Sequence, residues 1–337
     1  MPVRQTVFFS GPRQVEIRAE FLSAPAPGQM LVTTTVSAIS PGTEMLIYRG
    51  EFPRGLQVDA NIPSLGSEFH YPLAYGYAAV GVVTELGEGV DRNWIGCPVF
   101  SFQPHTTHFL ASPGAVFPLP KGLSPESACF LPNAETAVNL VQDGAPILGE
   151  NVLVCGQGIV GLLTAALLNR FPLQALVTSD CYPRRREAST ALGATVCLDP
   201  LAHDFGERLR TLLPAGADLT FELSGVPTAL NDAIAWTRFS GRVVIGSWYG
   251  EKPALLDLGG TFHRSRIRLV SSQVSSLAPE LTGRWDKARR FAVAWDALER
   301  IRPEKWITQR VPFESAAEAY HLLDQSPEET IQIIFEY

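Results

Sequence analysis

Three glycines with the spacing G-x-G-x-x-G directly follow a short apolar run, VLVC, near the middle of the chain. They are Gly156, Gly158 and Gly161. After a buried strand, the first glycine of such a set permits a tight turn, the second lets backbone amides approach a pyrophosphate, and the third lets the next helix pack closely. The phosphates would lie at the helix N-terminus, here Ile159 and Val160, whose positive dipole end attracts anions. The stretch predicts a dinucleotide site, and hydride transfer is the chemistry that nicotinamide dinucleotides support.

An acidic residue follows the next apolar run. Residues 159–170 predict a helix and residues 175–179 predict a second buried strand, which ends at Asp180, 19 residues after Gly161. At an offset of about 20 residues, an acidic side chain in this type of fold meets the ribose hydroxyls of the adenosine, and its charge repels a 2′-phosphate. Asp180 therefore favours NAD, and a solvated aspartate in a loop is the alternative.

Polar and basic residues beside Asp180 favour the other cofactor. Ser179 and the arginines 184–186, of which Arg185 is the candidate contact, could accommodate the 2′-phosphate of NADP. The same arginines could equally form the polar face of the next helix. We therefore expect NAD as the cofactor, with NADP as the alternative.

Pairs of serine and glycine end the fourth and fifth strands predicted for this region. They are Ser224 with Gly225, and Gly246 with Ser247. Ligands of open α/β sheets bind at the carboxyl ends of the strands, so we expect these four residues to contact the cofactor. Ordinary turn formation, for which serine and glycine are also common, is the alternative.

Two histidines lie three residues apart in an earlier segment. His105 and His108 could together bind a metal, but neither a cysteine nor an acidic residue nearby completes a ligand set. Because a histidine titrates near neutral pH, either ring, and His105 first, could act as a general acid. Ordinary loop histidines are the third interpretation.

Two kinds of scaffold must position these residues. From about residue 151 to residue 273, strands and helices alternate as in a doubly wound parallel sheet. The six predicted strands cover 152–155, 175–179, 195–198, 219–223, 242–246 and 268–272. The predicted helices cover 159–170, 184–192, 204–213 and 228–239.

The first part of the chain, roughly 130 residues, has a different pattern. Short β-prone runs are separated by breaks rich in proline and glycine, which predicts a small irregular β-barrel. After residue 273, a helix, a β-prone segment, a short helix and a last strand are expected to return to that first domain; they cover 286–300, 306–311, 315–323 and 330–335. The predicted division into domains is 1–135, 136–273 and 274–337.

Size and composition indicate a globular enzyme of two domains. The chain has 337 residues, of which 46% are hydrophobic and 18% charged, and its net charge of −7 argues against a nucleic-acid partner. The sequence contains neither a signal-peptide pattern nor an apolar stretch of about 20 residues, which predicts a cytoplasmic protein without a membrane span. The five cysteines, an odd number without a C-x-x-C pair, are expected to be reduced.

Three motifs in the first domain complete a resemblance that covers essentially the whole chain. They are Ile39–Glu44, Tyr48–Gly50 and Tyr71–Tyr77. With the elements above, the chain resembles the medium-chain dehydrogenase/reductase superfamily, and within it the bacteriochlorophyllide a dehydrogenase group. The resemblance implies an α/β protein in which a GroES-like β-barrel catalytic domain is joined to a Rossmann domain with a doubly wound parallel sheet. It also implies a small-molecule substrate bound between the domains and a homodimer.

The same resemblance indicates where this chain departs from the zinc alcohol dehydrogenases. Positions that hold zinc ligands in those enzymes correspond here to Pro41, Tyr77 and Pro132, and the four-cysteine loop of a structural zinc is missing. Proline has no side-chain donor atom, whereas a catalytic zinc needs about three protein ligands. We therefore expect an enzyme without zinc or another metal.

Without zinc, hydrogen-bond donors must polarise the reacting oxygen. By family position, the candidates are Thr43, which matches the first hydroxyl of a proton relay, Tyr77, which replaces a metal ligand, and Glu44 as a base. Leu46 replaces the histidine that ends the relay. The alternatives are a turn residue for Thr43, an aromatic wall for Tyr77 and a salt bridge to Arg49 or another arginine for Glu44.

These observations together predict a zinc-independent, NAD(P)-dependent oxidoreductase that interconverts an alcohol and a ketone. A bulky ring compound such as a chlorophyllide is a candidate substrate. One alternative is a reductase of an activated C=C bond, like the quinone oxidoreductases. The other is a dinucleotide-binding protein without turnover.

Overall fold

The structure, a computed structural model, describes residues 3–53, 55–57 and 68–337. The chain folds into two compact units. The first unit comprises Met1–Pro132 and Arg302–Tyr337, and the second comprises Asn133–Ile301.

Sixteen strands and nine α-helices make up the described part of the chain. The strands are β1 (Val3–Gly11), β2 (Gln14–Phe21), β3 (Met30–Ala38), β4 (Leu73–Ala74), β5 (Ala79–Leu86), β6 (Pro98–Ser101), β7 (His108–Ala111), β8 (Phe117–Pro118), β9 (Asn151–Cys155), β10 (Ala175–Ser179), β11 (Val196–Leu198), β12 (Ala217–Glu222), β13 (Thr237–Ile245), β14 (Arg268–Ser271), β15 (Ile307–Pro312) and β16 (Gln332–Glu336). The helices are α1 (Thr43–Arg49), α2 (Pro125–Ala128), α3 (Leu131–Gly144), α4 (Ile159–Leu168), α5 (Pro183–Ala191), α6 (Phe205–Leu212), α7 (Ala229–Ala235), α8 (Lys287–Ile301) and α9 (Ala316–Gln325).

The second unit is built on a six-stranded sheet in the order β11-β10-β9-β12-β13-β14, and all of its strand pairs are parallel. The central strand β9 is apolar because helices cover both faces of such a sheet; Val152, Leu153 and Val154 are fully buried. The doubly wound sheet predicted from the sequence is confirmed. Strand β9 pairs with β10 on one side and with β12 on the other, so the strand order reverses beside β9. Ligands of open α/β sheets bind at the carboxyl ends of the strands at such a point.

The largest differences from the predicted element bounds in this unit lie at α7 and at β13, which begins at Thr237 instead of residue 242. The helix expected over 228–239 ends at Ala235, because the chain then enters the long strand β13. The hydroxyl of Thr237 fixes this change of direction by donating to the carbonyl of Ala233 at 2.7 Å.

Helix α8 also lies in the second unit, although the sequence assigned 274–337 to a return into the first domain. Arg290 of α8 is fully buried, and its Nη2 donates to Oε1 of Glu135 in α3 at 2.7 Å. Its Nη1 donates to Oδ1 of Asn139, also in α3, at 2.5 Å. Because burying an unpaired guanidinium is costly, this pairing fixes α8 to α3. The return to the first unit therefore begins at residue 302, and the first boundary lies after Pro132 instead of residue 135.

The first unit contains two sheets where the sequence predicted a small irregular barrel. One sheet has the order β2-β1-β4, and the other has the order β15-β16-β3-β5-β6-β8 with β7 paired to β3. The returning strand β16 pairs antiparallel with β3, with Ile334 opposite Ala38. Phe335 of β16 and Tyr320 of α9 are fully buried in the core of this unit.

Helix α1 carries two of the candidate catalytic residues in its first turn. Its sequence TEMLIYR buries five consecutive residues, from Glu44 to Tyr48. The helix ends at Gly50, which has φ 76° and donates its amide to the carbonyl of Ile47. Thr43 and Glu44 are thereby held at the start of α1, beside the core of the first unit.

No helix in residues 3–53, 55–57 and 68–337 has both the length and the apolar character needed to cross a membrane.

Candidate active site

The glycine turn after β9 has the close approaches that its spacing predicts. Gly156 has φ 91°, and a Cβ atom there would lie 2.6 Å from the carbonyl oxygen of Leu223. A Cβ on Gly161 would lie 2.0 Å from the carbonyl oxygen of Gly156. Both distances are far below van der Waals contact, so neither position accepts a side chain without rearrangement.

Gly158 differs from the other two glycines because the space beside it is open. A Cβ there would meet within 4 Å only Nη1 of Arg185, at 3.9 Å. Gly158 is also the N-cap of α4 and has no side chain to cover the first helical amides. The turn therefore leaves an open cradle of backbone N–H groups at a helix N-terminus, and this fits the pyrophosphate of a dinucleotide. Ile159, Val160 and Gly161 form the first turn of that helix.

Asp180 lies at the carboxyl end of β10 and contacts the glycine turn. Its Oδ2 accepts a hydrogen bond from the amide of Gln157 at 2.7 Å, and its Oδ1 accepts one from the amide of Tyr182 at 2.8 Å. Asp180 is only 6% exposed. The solvated loop aspartate considered above is therefore wrong. The carboxylate holds the turn in place, and each oxygen can accept a further hydrogen bond.

The neighbouring arginines differ in what they contact. The guanidinium of Arg185 lies 4.8 Å from the centroid of the Tyr182 ring and stands beside Gly158. Arg186 instead donates to the carbonyl oxygens of Asp180 and Cys181 and pairs with Asp199 at 3.2 Å. Arg185 is thus the arginine nearest to the open cradle.

The serine and glycine pairs that end β12 and β13 contact one another. The amide of Gly225 donates to Oγ of Ser247 at 2.8 Å. Gly246 is required for packing, because a Cβ there would lie 2.6 Å from methyl groups of Leu140 and Leu223. Ser224 uses its hydroxyl within its own loop, where it accepts the amide of Val226 at 3.1 Å. Turn formation therefore accounts for the side-chain bonds of these residues, while their backbone remains at the predicted edge of the sheet.

Sequence reasoning missed Glu222, which connects these loops. Glu222 is fully buried at the end of β12, and its carboxylate accepts hydrogen bonds from Ser224 and Tyr249. An ionisable residue at the end of the otherwise apolar run LTFEL was the signal that could have revealed it, because acidic side chains are rarely buried without partners.

In the first unit, Tyr77 is half-buried and donates its hydroxyl to Oγ of Ser40. Ser40 immediately precedes Pro41, and Thr43 follows, also half-buried, at the start of α1. The hydroxyls of Tyr77 and Ser40 thus form a pair. The sequence did not indicate Ser40.

Glu44 and His105 form a buried pair next to this hydroxyl pair. Nε2 of His105 lies 3.0 Å from Oε2 of Glu44, and both side chains are fully buried. Oε1 of Glu44 accepts the amide of Ser40 at 2.7 Å, and Oε2 also accepts the Tyr320 hydroxyl. Nδ1 of His105 lies 2.6 Å from Oγ of Ser37. Both side chains are fully buried and hydrogen-bonded within the first unit, so neither reaches solvent in this structure, and their roles as base and acid stay predictions.

Two interpretations of this region are corrected. Arg49 does not pair with Glu44 but with Asp324, at 2.6 Å. His105 is not available as a metal ligand beside His108, because its Nδ1 contacts Ser37 and its Nε2 contacts Glu44.

The donors in this region do not fit a catalytic zinc. Pro41 offers no donor atom, and the hydrogen bonds just described occupy Glu44 and His105. Within the described ranges, no three side chains of histidine, cysteine, aspartate or glutamate lie close enough together to hold a metal ion. A catalytic zinc takes about three protein ligands.

Several proteins similar to this chain are named as dehydrogenases. A family model described as zinc-binding dehydrogenase matches residues 160–293. D-guloside 3-dehydrogenase of Escherichia coli (strain K12) is 27% identical over 327 residues, which cover 95% of this chain and 92% of that protein.

Solved structures agree in fold. A protein from E. coli CFT073 described as a short chain alcohol dehydrogenase (rspB), complexed with NADH, has a TM-score of 0.79 at 18% identity and 99% coverage of both chains. A zinc-binding dehydrogenase from Sinorhizobium meliloti 1021, bound to NADP, has a TM-score of 0.78 at 17% identity and complete coverage of both chains. The chain is therefore an NAD(P)-dependent dehydrogenase, and over residues 160–293 it is similar to the zinc-binding dehydrogenases.

Proposed function

We propose that this protein interconverts a secondary alcohol and a ketone with NAD as the preferred cofactor and without zinc. The observation that carries the proposal is the open glycine turn at the carboxyl end of β9, with Asp180 and Arg185 beside it. Held at this turn, a nicotinamide dinucleotide would supply the hydride acceptor for the alcohol or the hydride donor for the ketone. The remaining work, binding the dinucleotide and handling the proton of the substrate oxygen, belongs to the residues of the chain.

Binding would use the backbone of the turn and of the first turn of α4. The amides of Gly158, Ile159, Val160 and Gly161 are the candidates for the pyrophosphate, because Gly158 is the glycine of this turn that has open space beside it. Asp180 would accept the ribose hydroxyls while it holds the turn through Gln157, and its negative charge supports NAD over NADP. Arg185 would lie close to a phosphate of either dinucleotide.

The proton of the substrate alcohol would be held at the Tyr77 hydroxyl. Tyr77 is half-buried and its hydroxyl donates to Ser40, so it can accept the hydrogen bond of the substrate alcohol. As the substrate proton moves to Tyr77, the Tyr77 proton would move to Ser40 and the Ser40 proton would leave to water. Thr43 supplies a second hydroxyl at the start of the same helix. The buried pair of Glu44 and His105 fixes the backbone of Ser40 and thereby orients the hydroxyl pair.

The relatives support a hydroxyl-rich substrate more than a chlorophyllide. D-guloside 3-dehydrogenase, by its name, oxidises position 3 of a sugar derivative, and it matches 95% of this chain. We therefore propose a secondary hydroxyl of a sugar-like compound as the substrate class. The chlorophyllide stays a prediction from the motif resemblance, and a homodimer is proposed as the assembly.

A binding and turnover assay with metal analysis tests the proposal. The purified protein is titrated with NADH and NADPH, its zinc content is measured, and oxidation of sugar derivatives, small diols and a chlorophyllide is followed before and after chelation. We expect tighter binding of NADH, turnover of a sugar derivative, less than about 0.1 zinc per chain and no effect of the chelator. Stoichiometric zinc or chelator-sensitive turnover would overturn the zinc-independent mechanism. Reduction of a C=C bond, or cofactor binding without any turnover, would overturn the alcohol dehydrogenase assignment.

A further inference from the structure

Glu222 is a fully buried carboxylate whose partners in the described part of the chain are hydrogen-bond donors and not a cation. Its Oε1 accepts the amide of Ser224 at 2.9 Å and also the hydroxyl of Ser224. Its Oε2 accepts the hydroxyl of Tyr249 at 2.5 Å. Three hydrogen bonds to one carboxyl group repay much of the cost of removing it from water.

The residues around Glu222 are kept in their neutral, donating forms. Burial, and then the charge of Glu222, raises the pKa of the Tyr249 hydroxyl, so it remains a donor. Burial and the same charge raise the pKa of the Cys155 thiol to about 12. Cys155 lies opposite Glu222 in the pairing of β9 with β12, and Gly156 follows it directly. The carboxylate thus stands one residue away from the glycine turn, on the neighbouring strand.

The contacts of Glu222 connect three strand ends. Its backbone oxygen accepts the amides of Gly246 and Ser247 after β13, at 3.0 and 3.2 Å. Its side chain holds Ser224 after β12, and the backbone there lies against the turn after β9: a Cβ on Gly156 would meet the Cα of Ser224 at 2.7 Å. A shift of the loop at Ser224 would therefore displace Gly156, the first residue of the glycine turn.

We propose that Glu222 is a positioning residue for the dinucleotide site, which it shapes through Ser224 and Tyr249. Glu222 itself is sealed from solvent and touches no ligand. It fixes the loops after β12 and β13 against Gly156, so that the amides at the start of α4 are already oriented when the cofactor arrives. Preorganisation of this kind increases affinity by reducing the ordering cost of binding. The inference rests on the proposed dinucleotide binding.

The test compares the dissociation constants for NADH of the full-length wild type, Glu222→Gln, Tyr249→Phe and the double variant. Glutamine replaces one acceptor oxygen with an amide donor, so it cannot keep both the Ser224 and the Tyr249 bonds. We expect Glu222→Gln to raise the Kd at least tenfold and Tyr249→Phe to raise it about threefold. The double variant should be no weaker than Glu222→Gln alone, because both changes remove the same connection. Glu207→Gln is the matched control, since Glu207 is exposed on α6, and its Kd should not change.

Melting temperatures without and with saturating NADH separate positioning from a merely structural role. A structural role would lower the melting temperature of the free protein in Glu222→Gln but leave the Kd at the wild-type value, and that result would overturn the inference. If Glu222→Gln does not fold, Tyr249→Phe decides: an unchanged Kd overturns the inference and a raised Kd supports it. If the wild type binds neither NADH nor NADPH, the proposed function fails and this inference with it. Wild-type binding with unchanged variants overturns the inference alone.

Discussion

Oε2 of Glu44 lies 3.0 Å from Nε2 of His105, and no part of either side chain reaches solvent. The two residues are 61 positions apart and come from α1 and from the segment before β7. Glu44 also accepts the amide of Ser40, so the pair is connected to the backbone at Ser40. The sequence suggested these two residues as acid and base, and their full burial favours the supporting role proposed above.

Glu44→Gln should therefore destabilise the first unit. Glutamine has one acceptor oxygen, so it cannot keep both the bond from the Ser40 amide and the bonds from His105 and Tyr320, which meet different oxygens of Glu44. A buried polar group left without a partner costs about 1–3 kcal/mol. Urea unfolding of the wild type and the variant measures this free energy. Glu318→Gln on the exposed face of α9 is the control and should leave the free energy of unfolding within about 0.5 kcal/mol of the wild type. Equal stability of the wild type and Glu44→Gln would show that the pair is not coupled as the distances indicate.

Tyr77→Phe should reduce turnover with the substrate found in the panel. A positioned proton donor contributes about 10²- to 10⁴-fold to the rate, so kcat should fall by that factor while the KM for the substrate changes little. Tyr71→Phe removes another partly buried hydroxyl of the same unit, one that donates to the carbonyl of Ile47. That control should lose stability but retain kcat. Steady-state kinetics that show the same small effect in both variants would remove Tyr77 from the proton transfer.

Gly158→Ala and Gly161→Ala should separate cofactor binding from folding. A methyl group at Gly158 enters open space, so stability should stay near the wild-type value while the Kd for NADH rises at least tenfold. At Gly161 the methyl group would lie 2.0 Å from the carbonyl oxygen of Gly156, so stability should fall by about 1–3 kcal/mol as well. Thermal unfolding and NADH titration of each variant test this pair. Unimpaired NADH binding by Gly158→Ala would argue that the pyrophosphate does not lie over this turn.

Asp180 and Arg185 should influence the choice between NAD and NADP in opposite directions. Asp180→Asn removes the charge that repels a 2′-phosphate but can still accept one of the backbone amides. We expect the Kd of this variant for NAD to rise about tenfold, because the loss of one hydrogen bond to a charged group weakens binding by about that factor. Its Kd for NADP should change less. Arg185→Gln should weaken NADP more than NAD, and Arg184→Gln, at an exposed neighbouring position, should change neither. An unchanged ratio of the two dissociation constants in Asp180→Asn would exclude a ribose contact.

The sequence predicted the second unit well because its signals are local. A buried strand, spaced glycines, a helix and an acidic residue follow one another within about 30 residues, and their order alone implies parallel pairing. The structure has β9, α4 and β10 within two residues of the predicted bounds at each end. Short-range spacing was therefore sufficient for the fold and for the candidate dinucleotide site.

The rest could not be predicted from spacing because it depends on pairs that are distant in the chain. Tyr320 reaches Glu44 across 276 positions, and Arg290 reaches Glu135 across 155. No periodicity connects such residues, so the burial of Glu44 and the attachment of α8 to the second unit followed only from the three-dimensional structure. Glu222 could be predicted only in part. The sequence shows an acidic residue at the end of a mostly apolar strand, but it does not show which residues bind that side chain.

Asp324 of α9 gives a pH-dependent prediction for the first unit. Burial alone would raise the pKa of its carboxyl, but hydrogen bonds from Arg49 and Arg13, with their charges, hold the pKa below its usual value. A carboxyl with a lowered pKa in the folded state stabilises the protein fully above its unfolded pKa of about 3.9, and this stabilisation is lost as the pH falls through the folded value. We expect Asp324→Asn to cost about 1.5–3 kcal/mol of unfolding free energy at pH 7, and the difference from the wild type to shrink below about pH 4. Urea unfolding at pH values from about 3 to 7 measures this difference in unfolding free energy.

Asp296→Asn, which breaks the exposed pair with Arg300, is the control and should cost only about 0.3–0.5 kcal/mol. A difference between wild type and Asp324→Asn that stays constant down to pH 3 would contradict an ionised, doubly paired Asp324.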